Sequence, residues 1–170
     1  MAITAALSVP CAARSGGISE VYLVDKADVS TFTLTSGAYT AVTMVSSAIF
    51  KKFEFEDDTC EMKTDSSREN GSVKMTHSLE FMVPKLTQTN RERLQEVCDS
   101  SSCGIIAIVK DANGTYWVMG YNELIKRALK MSSIAGTSGK AFTDLTGSTV
   151  TLVNENNELN RPYTGTIPGY

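Results

Sequence analysis

The chain has 170 residues, of which 42% are hydrophobic and 21% charged, and its net charge is −3. This length and composition suit one folded domain with its own core and exclude a globally disordered chain. The small negative charge argues against a protein that grips nucleic acid, because such proteins are usually clearly basic. Since no window approaches about 18 uninterrupted apolar residues, we expect no membrane span.

The first residues of the chain are small and end in two glycines, Gly16 and Gly17. No Lys or Arg precedes Arg14, and Pro10 interrupts a short apolar run. This pattern lacks the basic start and continuous apolar stretch of a signal peptide. We therefore predict no export and an extended arm over residues 1–17.

Three short strands are predicted in the first part of the chain. Alternating or β-branched residues cover 20–24, 31–34 and 40–45. The sequence SGAY at 36–39 separates the second and third segments and predicts a turn.

Residues 51–86 form a ribbon of alternating polar and apolar residues, interrupted by charged, small and Gly residues in its middle. Period-two patterning predicts two strands, each with one apolar face. Turn-forming residues collect between Asp65 and Gly71, so the turn is expected there, centred near Arg68. The apolar face would then comprise Phe53, Phe55, Leu79, Phe81 and Val83.

This centring predicts a cross-strand ladder, with Phe55 opposite Phe81 and Glu56 opposite Glu80. The apolar parity changes after Asp58, and a slip of one residue would move every side chain to the other face. A β-bulge near residues 57–59 would absorb the slip. It would place Cys60 and Met62 on the same face as Val73 and Met75.

One helix is predicted after the ribbon. Residues 89–92, TNRE, have the form of a capping box, and Leu94, Val97 and Cys98 follow at helical spacing. These features predict an α-helix over about 89–99.

Strands dominate the remainder. The sequence predicts a buried strand over 104–110 and a turn at 111–114, where the residues are DANG. It predicts that the chain returns as a strand over 115–121. Residues 123–135 fit a helix or a strand, and the surrounding strands favour a strand. A last strand is expected at 149–153, followed by a polar, extended tail at 154–170.

No phosphate-binding loop, dinucleotide fingerprint or nucleophile elbow is present in the sequence. The single histidine, His77, lies at an apolar position of a strand and is interpreted as a packed residue. Glu54, Glu56, Asp58 and Glu80 are spread along one predicted strand face, which is typical of a solvated surface rather than a calcium loop. We therefore predict that the protein is not an enzyme.

The four cysteines are Cys11, Cys60, Cys98 and Cys103, and the last two are separated by four residues. Zinc sites usually use tighter spacings in two pairs, and only one histidine is available. The sequence therefore predicts reduced, partly buried thiols and no metal or other cofactor.

The order of these elements resembles the tail tube proteins of long-tailed bacteriophages and the inner tubes of contractile injection systems. Residues 116–153, with WVMGYNEL, AGTSGKAFTDLTG and TVTLV, are also similar to tail structural proteins from phages and prophages of Bacteroidota. The resemblance implies a mainly β fold, a β-sandwich or half-barrel with one flanking α-helix and a long extended β-hairpin. It implies a single domain over 1–170, with the arm at 1–17 and the tail at 154–170.

The resemblance also implies a function. The chain would form hexameric rings that stack into a tail tube, the conduit through which DNA leaves the virion. Its partners would be other copies of itself and the tape-measure, tail terminator and baseplate or tip proteins, while DNA passes without specific binding. The protein would be assembled in the host cytoplasm and located in the virion tail. A tail terminator, connector or other ring-forming virion component shares this fold, and a β-sandwich surface adhesin is a more distant alternative.

The resemblance implies roles for three sets of residues. The candidate lining of the tube lumen is Glu54, Glu56, Asp58, Ser78 and Glu80. The candidate contact with a neighbouring subunit is Cys60, Met62, Val73 and Met75. The candidate loop between rings is Asp65, Ser66, Ser67, Arg68, Glu69 and Asn70. Lys52 and Lys74 share the parity of the acidic residues and are expected at the boundary between subunits.

Overall fold

Alternating and β-branched segments form strands through most of the chain, as the sequence predicts. The computed structural model describes residues 15–141 and 144–170. The predicted arm at 1–17 lies largely outside the described residues. Within these ranges the strands are β1 (Ile18–Asp25), β2 (Val29–Thr35), β3 (Ala38–Met44), β4 (Lys51–Phe53), β5 (Glu61–Glu69), β6 (Ser72–Pro84), β7 (Ile105–Asp111), β8 (Tyr116–Met119), β9 (Lys130–Thr137), β10 (Gly147–Asn156) and β11 (Arg161–Tyr163). The helix α1 spans Gln88–Cys103, and a short 3-10 turn spans Lys26–Asp28.

The strands form two sheets. One has seven strands in the order β2-β3-β11-β8-β7-β1-β4, and the other has four in the order β5-β6-β10-β9. All neighbouring strands are antiparallel except β11 and β3, which are parallel. The predicted mainly β fold with one flanking helix is therefore confirmed.

The main hydrophobic core lies where the two sheets and α1 meet. Val21 of β1 and Ala107 of β7 pack in one cluster with Phe81 of β6 and Leu152 of β10. All four are fully buried. Leu94 and Val97 of α1 complete the cluster, as the helical spacing of these residues predicts. This packing gives each sheet one face directed at the core, which is the arrangement of a β-sandwich.

A second core forms on the opposite face of the seven-stranded sheet. Ile106 and Ile108 of β7 pack there with Phe32, Tyr39 and Tyr163, which belong to other strands of the same sheet. Phe50 and Ile167, which lie outside the strands, help to cover this face. The seven-stranded sheet therefore carries a core on each of its two faces.

The C-terminal residues are part of this second core, so the predicted extended tail at 154–170 is wrong. Asn154 and Asn156 complete β10, and β11 lies between β3 and β8. Tyr163 and Ile167 are buried. Apolar side chains at these two positions outweigh the polar composition of the segment.

The helix begins two residues earlier than its capping-box pattern predicts. Thr87 is the N-cap, and its Oγ1 accepts a hydrogen bond from the backbone N–H of Asn90 at 3.2 Å. The helix ends at Gly104, whose φ is +106° and where a Cβ would lie 2.5 Å from the Cβ of Ala128. Among the described residues, the structure contains no helix with the length and apolar composition needed to cross a membrane.

The ambiguous segment at 123–135 divides into a turn and a strand. The Oδ1 of the buried Asn122 accepts hydrogen bonds from the N–H groups of Leu124 and Ile125 at 2.8 and 3.1 Å, which closes a turn. The strand β9 follows, so the preference for a strand is confirmed for the second part of this segment.

Candidate assembly surface

The β5–β6 hairpin turns at Asn70 and Gly71, whose φ angles are +49° and +81°. Positive φ at both central residues is typical of a two-residue type I′ turn, for which Asn-Gly is the preferred sequence. The predicted centre near Arg68 is therefore wrong, because Arg68 pairs with Val73. Of the candidate inter-ring residues, Asp65, Ser66, Ser67, Arg68 and Glu69 belong to strand β5, and Asn70 alone lies in the turn.

The first part of the predicted ribbon forms no ladder with β6 and is joined to it by a backbone hydrogen bond from the N–H of Glu56 to the carbonyl of Met82 at 2.8 Å. Residues Lys51–Phe53 form β4, which pairs with β1 in the seven-stranded sheet. The predicted ladder with Phe55 opposite Phe81 and Glu56 opposite Glu80 is therefore wrong. Phe53 and Phe55 nevertheless pack against Phe81, each with a ring-centroid distance of 6.4 Å.

A turn replaces the predicted β-bulge near residues 57–59. Thr59 N–H donates to the carbonyl of Glu56 at 3.3 Å, and Asp58 has a φ of +60°. The apolar parity changes here because the chain passes from one sheet to the other. Glu54, Glu56 and Asp58 consequently lie in this crossing segment and not on a hairpin strand with Ser78 and Glu80.

After residue 59, the prediction that Cys60 and Met62 share one face with Val73 and Met75 is confirmed. Met62 pairs with Leu79, at the same parity as Met75 and Val73, and Cys60 is buried in the main core. Burial raises the pKa of the Cys60 thiol to about 12. The thiol is therefore protonated at neutral pH, unlike a reactive cysteine.

The outer face of the four-stranded sheet, which we name the polar face, carries side chains of the opposite parity to Leu79 and Phe81. Its charged and hydroxyl-bearing members are Glu61, Lys63, Asp65, Ser67, Glu69, Ser72, Lys74, Thr76, Ser78, Glu80, Lys130, Ser133, Thr137, Thr149, Thr151 and Glu155. Five carboxylates and three lysines give this face a net charge of −2. Ser78 and Glu80 lie at its centre.

Ion pairs connect charges across the polar face. Lys74 Nζ lies 2.9 Å from a carboxylate oxygen of Glu155 and 3.8 Å from one of Glu69. The hydrogen bond and charge of Lys74 lower the pKa of the Glu155 carboxyl. These side chains are solvent-exposed, so each pair contributes little to stability. Lys52, by contrast, lies in the other sheet, where its Nζ is 3.1 Å from Glu20.

Within the described part of the chain, both edges of the four-stranded sheet are open along β5 and β9, although Leu129, just before β9, exchanges two backbone hydrogen bonds with Ile105. β5 pairs only with β6, and β9 only with β10. In a hairpin closed by a two-residue turn, alternate residues direct their backbone N–H and C=O away from the partner strand. In β5 these are Met62, Thr64, Ser66 and Arg68. An open edge of this kind is a template for another strand.

Apolar side chains are exposed beside these edges. The pairing of β6 with β10 ends at Met75, so Val73 extends beyond β10 and is 47% exposed. Leu124, in the turn before β9, is 80% exposed. Leu124 and the β9 edge were not identified from the sequence, although the run of Lys126, Arg127 and Lys130 without an acidic residue could have indicated a specialised surface.

His77 is packed as predicted, and it has two hydrogen-bond partners that the sequence did not reveal. Its side chain is fully buried, with Nδ1 2.8 Å from Thr64 Oγ1 and Nε2 2.8 Å from the carbonyl oxygen of Glu158. A carbonyl only accepts, so Nε2 carries the proton and Nδ1 accepts from the Thr64 hydroxyl. Desolvation lowers the pKa of His77. A buried imidazole with both nitrogens occupied is a structural group.

Titratable side chains do not gather into a metal-binding cluster in residues 15–141 and 144–170: no group of three or more His, Cys, Asp or Glu has suitable geometry there. Cys60, Cys98 and Cys103 are free thiols, whereas Cys11 lies outside the described residues.

The chain matches no protein-family model, no curated protein sequence and no solved structure.

Proposed function

We propose that this chain is a virion structural protein that self-assembles into hexameric rings, which stack into a phage tail tube for DNA ejection. The proposal is supported by the four-stranded sheet, which has a polar outer face and, within residues 15–141 and 144–170, no further strand at either edge. If copies of this sheet pair edge to edge in a ring, the sheets form a closed barrel, and closure removes both edges.

Strand direction supports closure by rotation. β5 and β10 run in one direction, and β6 and β9 run in the opposite one. Because an even number of strands alternates, β5 of one copy placed beside β9 of the next runs antiparallel to it. A head-to-tail ring can therefore continue the same pairing pattern through every subunit.

The dimensions of such a ring suit a DNA conduit. Six copies of the four-stranded sheet would form a barrel of about 24 strands. With a strand spacing of about 4.8 Å and a tilt of about 40°, the backbone diameter is roughly 50 Å. After side chains are added, the bore remains wide enough for a DNA duplex.

The polar face is the side of the sheet available to line the bore, because the other side packs in the main core. Its net charge of −2 per copy would repel phosphate weakly and provide no basic stripe to hold DNA. DNA would then slide without specific binding. This assignment retains Ser78 and Glu80 as lumen residues and replaces Glu54, Glu56 and Asp58 by residues of β5 and β10.

In this function the chain has no catalytic role. Its partners are other copies of itself, together with tape-measure, tail terminator and baseplate or tip proteins of the virion. A tail terminator or connector would use the same edges to form a ring but would not build long stacks.

Negative-stain microscopy and sedimentation velocity of the purified full chain test the proposal. We expect hexameric rings, and tubes at high protein concentration. Rings that never stack would favour the terminator or connector. A stable monomer at every salt and protein concentration would contradict assembly through the open edges.

A further inference from the structure

The two open edges of the four-stranded sheet carry opposite charges. Residues 54–69, which we name the acidic edge, contain seven carboxylates and two basic side chains, a net charge of −5. Residues 124–137, the basic edge, contain three basic side chains and no acidic one, a net charge of +3. The first segment leads into and forms β5, and the second leads into and forms β9.

The side chains that create this contrast are exposed. Glu54, Asp57 and Asp58 of the acidic edge face solvent, as do Lys126 and Lys130 of the basic edge. Arg127 has a partner within its own chain, Glu155, at 3.5 Å, and remains 60% exposed. Most of the charge on both edges is therefore available to another molecule.

A cavity of about 540 Å³ lies beside the start of β9, lined by Lys26, Lys126, Arg127, Lys130 and Asn154 among others. Asn154 is only 5% exposed, and its Nδ2 donates to the carbonyl of Arg127 at 3.1 Å. Its buried Oδ1 accepts no hydrogen bond from any described residue. This place therefore has an excess of positive charge and an unused acceptor.

We propose that the acidic edge of one copy docks on the basic edge of the next and that this charge complementarity selects the head-to-tail arrangement. The inference rests on the proposed ring. Carboxylates of the incoming copy would neutralise the exposed basic side chains Lys126 and Lys130. Pairing of two acidic or two basic edges would place like charges together, which disfavours closed two-fold dimers.

Charge reversal on each edge tests the inference. The triple variant Lys126→Glu, Arg127→Glu and Lys130→Glu should raise the protein concentration for half-maximal ring formation at least tenfold. A second triple variant, Glu54→Lys, Asp57→Lys and Glu61→Lys, should do the same. Combining all six substitutions in one chain should restore rings, because the two edges are again opposite. Glu92→Lys, a charge reversal on the exposed face of α1, is the control and should assemble normally.

Sedimentation velocity at about 0.05 and 0.5 M NaCl measures each variant, with circular dichroism to confirm folding. Wild-type assembly should weaken at high salt, because exposed charges are screened. If both triple variants form rings as readily as the wild type, charge selection is overturned while the proposed ring stands. Charge selection would also be overturned if the chain with all six substitutions forms no rings although its monomer is folded. A wild-type chain that forms no rings would refute both this inference and the proposed function.

Discussion

At the scale of single residues, the buried titratable side chains of the core are held in their neutral forms. Desolvation lowers the pKa of His77 and raises the pKa of Cys60 to about 12. Both residues belong to the hairpin region, and both are almost inaccessible to solvent. Such groups stabilise the fold only while they remain uncharged. They therefore contribute to the pH dependence of the free energy of unfolding.

The free energy of unfolding should decrease as the pH falls below about 6.5. His77 has a lowered pKa in the folded chain, so the unfolded chain binds more protons below its own pKa of about 6.5. The stabilising effect of neutral His77 is complete above that pH and is lost as the pH falls towards the folded pKa. Urea unfolding at several pH values between about 5 and 7.5 measures this slope. His77→Gln, which cannot titrate, should have a flatter profile, and an identical slope would contradict the assignment.

At the scale of elements, local sequence patterns predicted strand and helix identity well but not their exact bounds. The alternation in β6 and the apolar run in β7 were sufficient to identify buried strands. The predicted hairpin register is wrong because it places the turn at the middle of a segment rich in turn-forming residues. Asn70-Gly71 is a specific type I′ signal, and a turn at this dipeptide gives the observed pairing of β5 with β6.

Other elements depend on distant partners: the alternation from residue 51 predicts a strand but not the sheet that it joins, and β11 has no local signal. β4 and β11 are three residues each, and they are strands because β1, β3 and β8 provide hydrogen-bonding neighbours. The passage of the chain between sheets after β4 is therefore a tertiary effect. This effect removed Glu54, Glu56 and Asp58 from the predicted lining, since a period-two pattern cannot show which sheet a strand joins.

Thr87→Ala should destabilise the chain by about 1 kcal/mol, because it removes the side chain that caps α1. Thr89→Ala is the matched control: the sequence pattern suggests Thr89 as the cap, but this residue lies inside the helix. Thermal or urea unfolding of the two variants measures the difference. A larger loss for Thr89→Ala would contradict the observed cap.

At the scale of the whole molecule, the seven-stranded sheet carries a core on each face, while the four-stranded sheet has no further strand at either edge among the described residues. The open sheet has its polar face outward and its apolar face covered by the main core. This asymmetry is the reason for proposing the four-stranded sheet as the assembly surface. The sequence predicted the polar strand β6 within it, but the β9 edge became apparent only from the sheet topology.

The orientation of the polar face in an assembled tube can be tested with Glu80→Lys. Its side chain lies on a central strand, away from both edges, so tubes should still form. A lysine there should make the bore retain duplex DNA at low salt, protected from nuclease, and release it at high salt. Glu80→Gln should retain little DNA.

Thr43→Lys, on an exposed position of β3 in the other sheet, is the control for DNA bound outside the tube. Its bound DNA should remain sensitive to nuclease. Complete digestion of the DNA retained by Glu80→Lys would show that the polar face is not the lumen.

If strand pairing at the β5 edge closes the ring, Ser66→Pro should prevent closure. The N–H of Ser66 points away from β6, so proline removes a donor from the open edge and preserves the hairpin ladder. Ser66→Ala keeps that N–H and is the matched control. Sedimentation velocity of the three proteins should show rings for wild type and Ser66→Ala and a folded monomer for Ser66→Pro. Rings of normal size and stability from Ser66→Pro would contradict closure by strand pairing at β5.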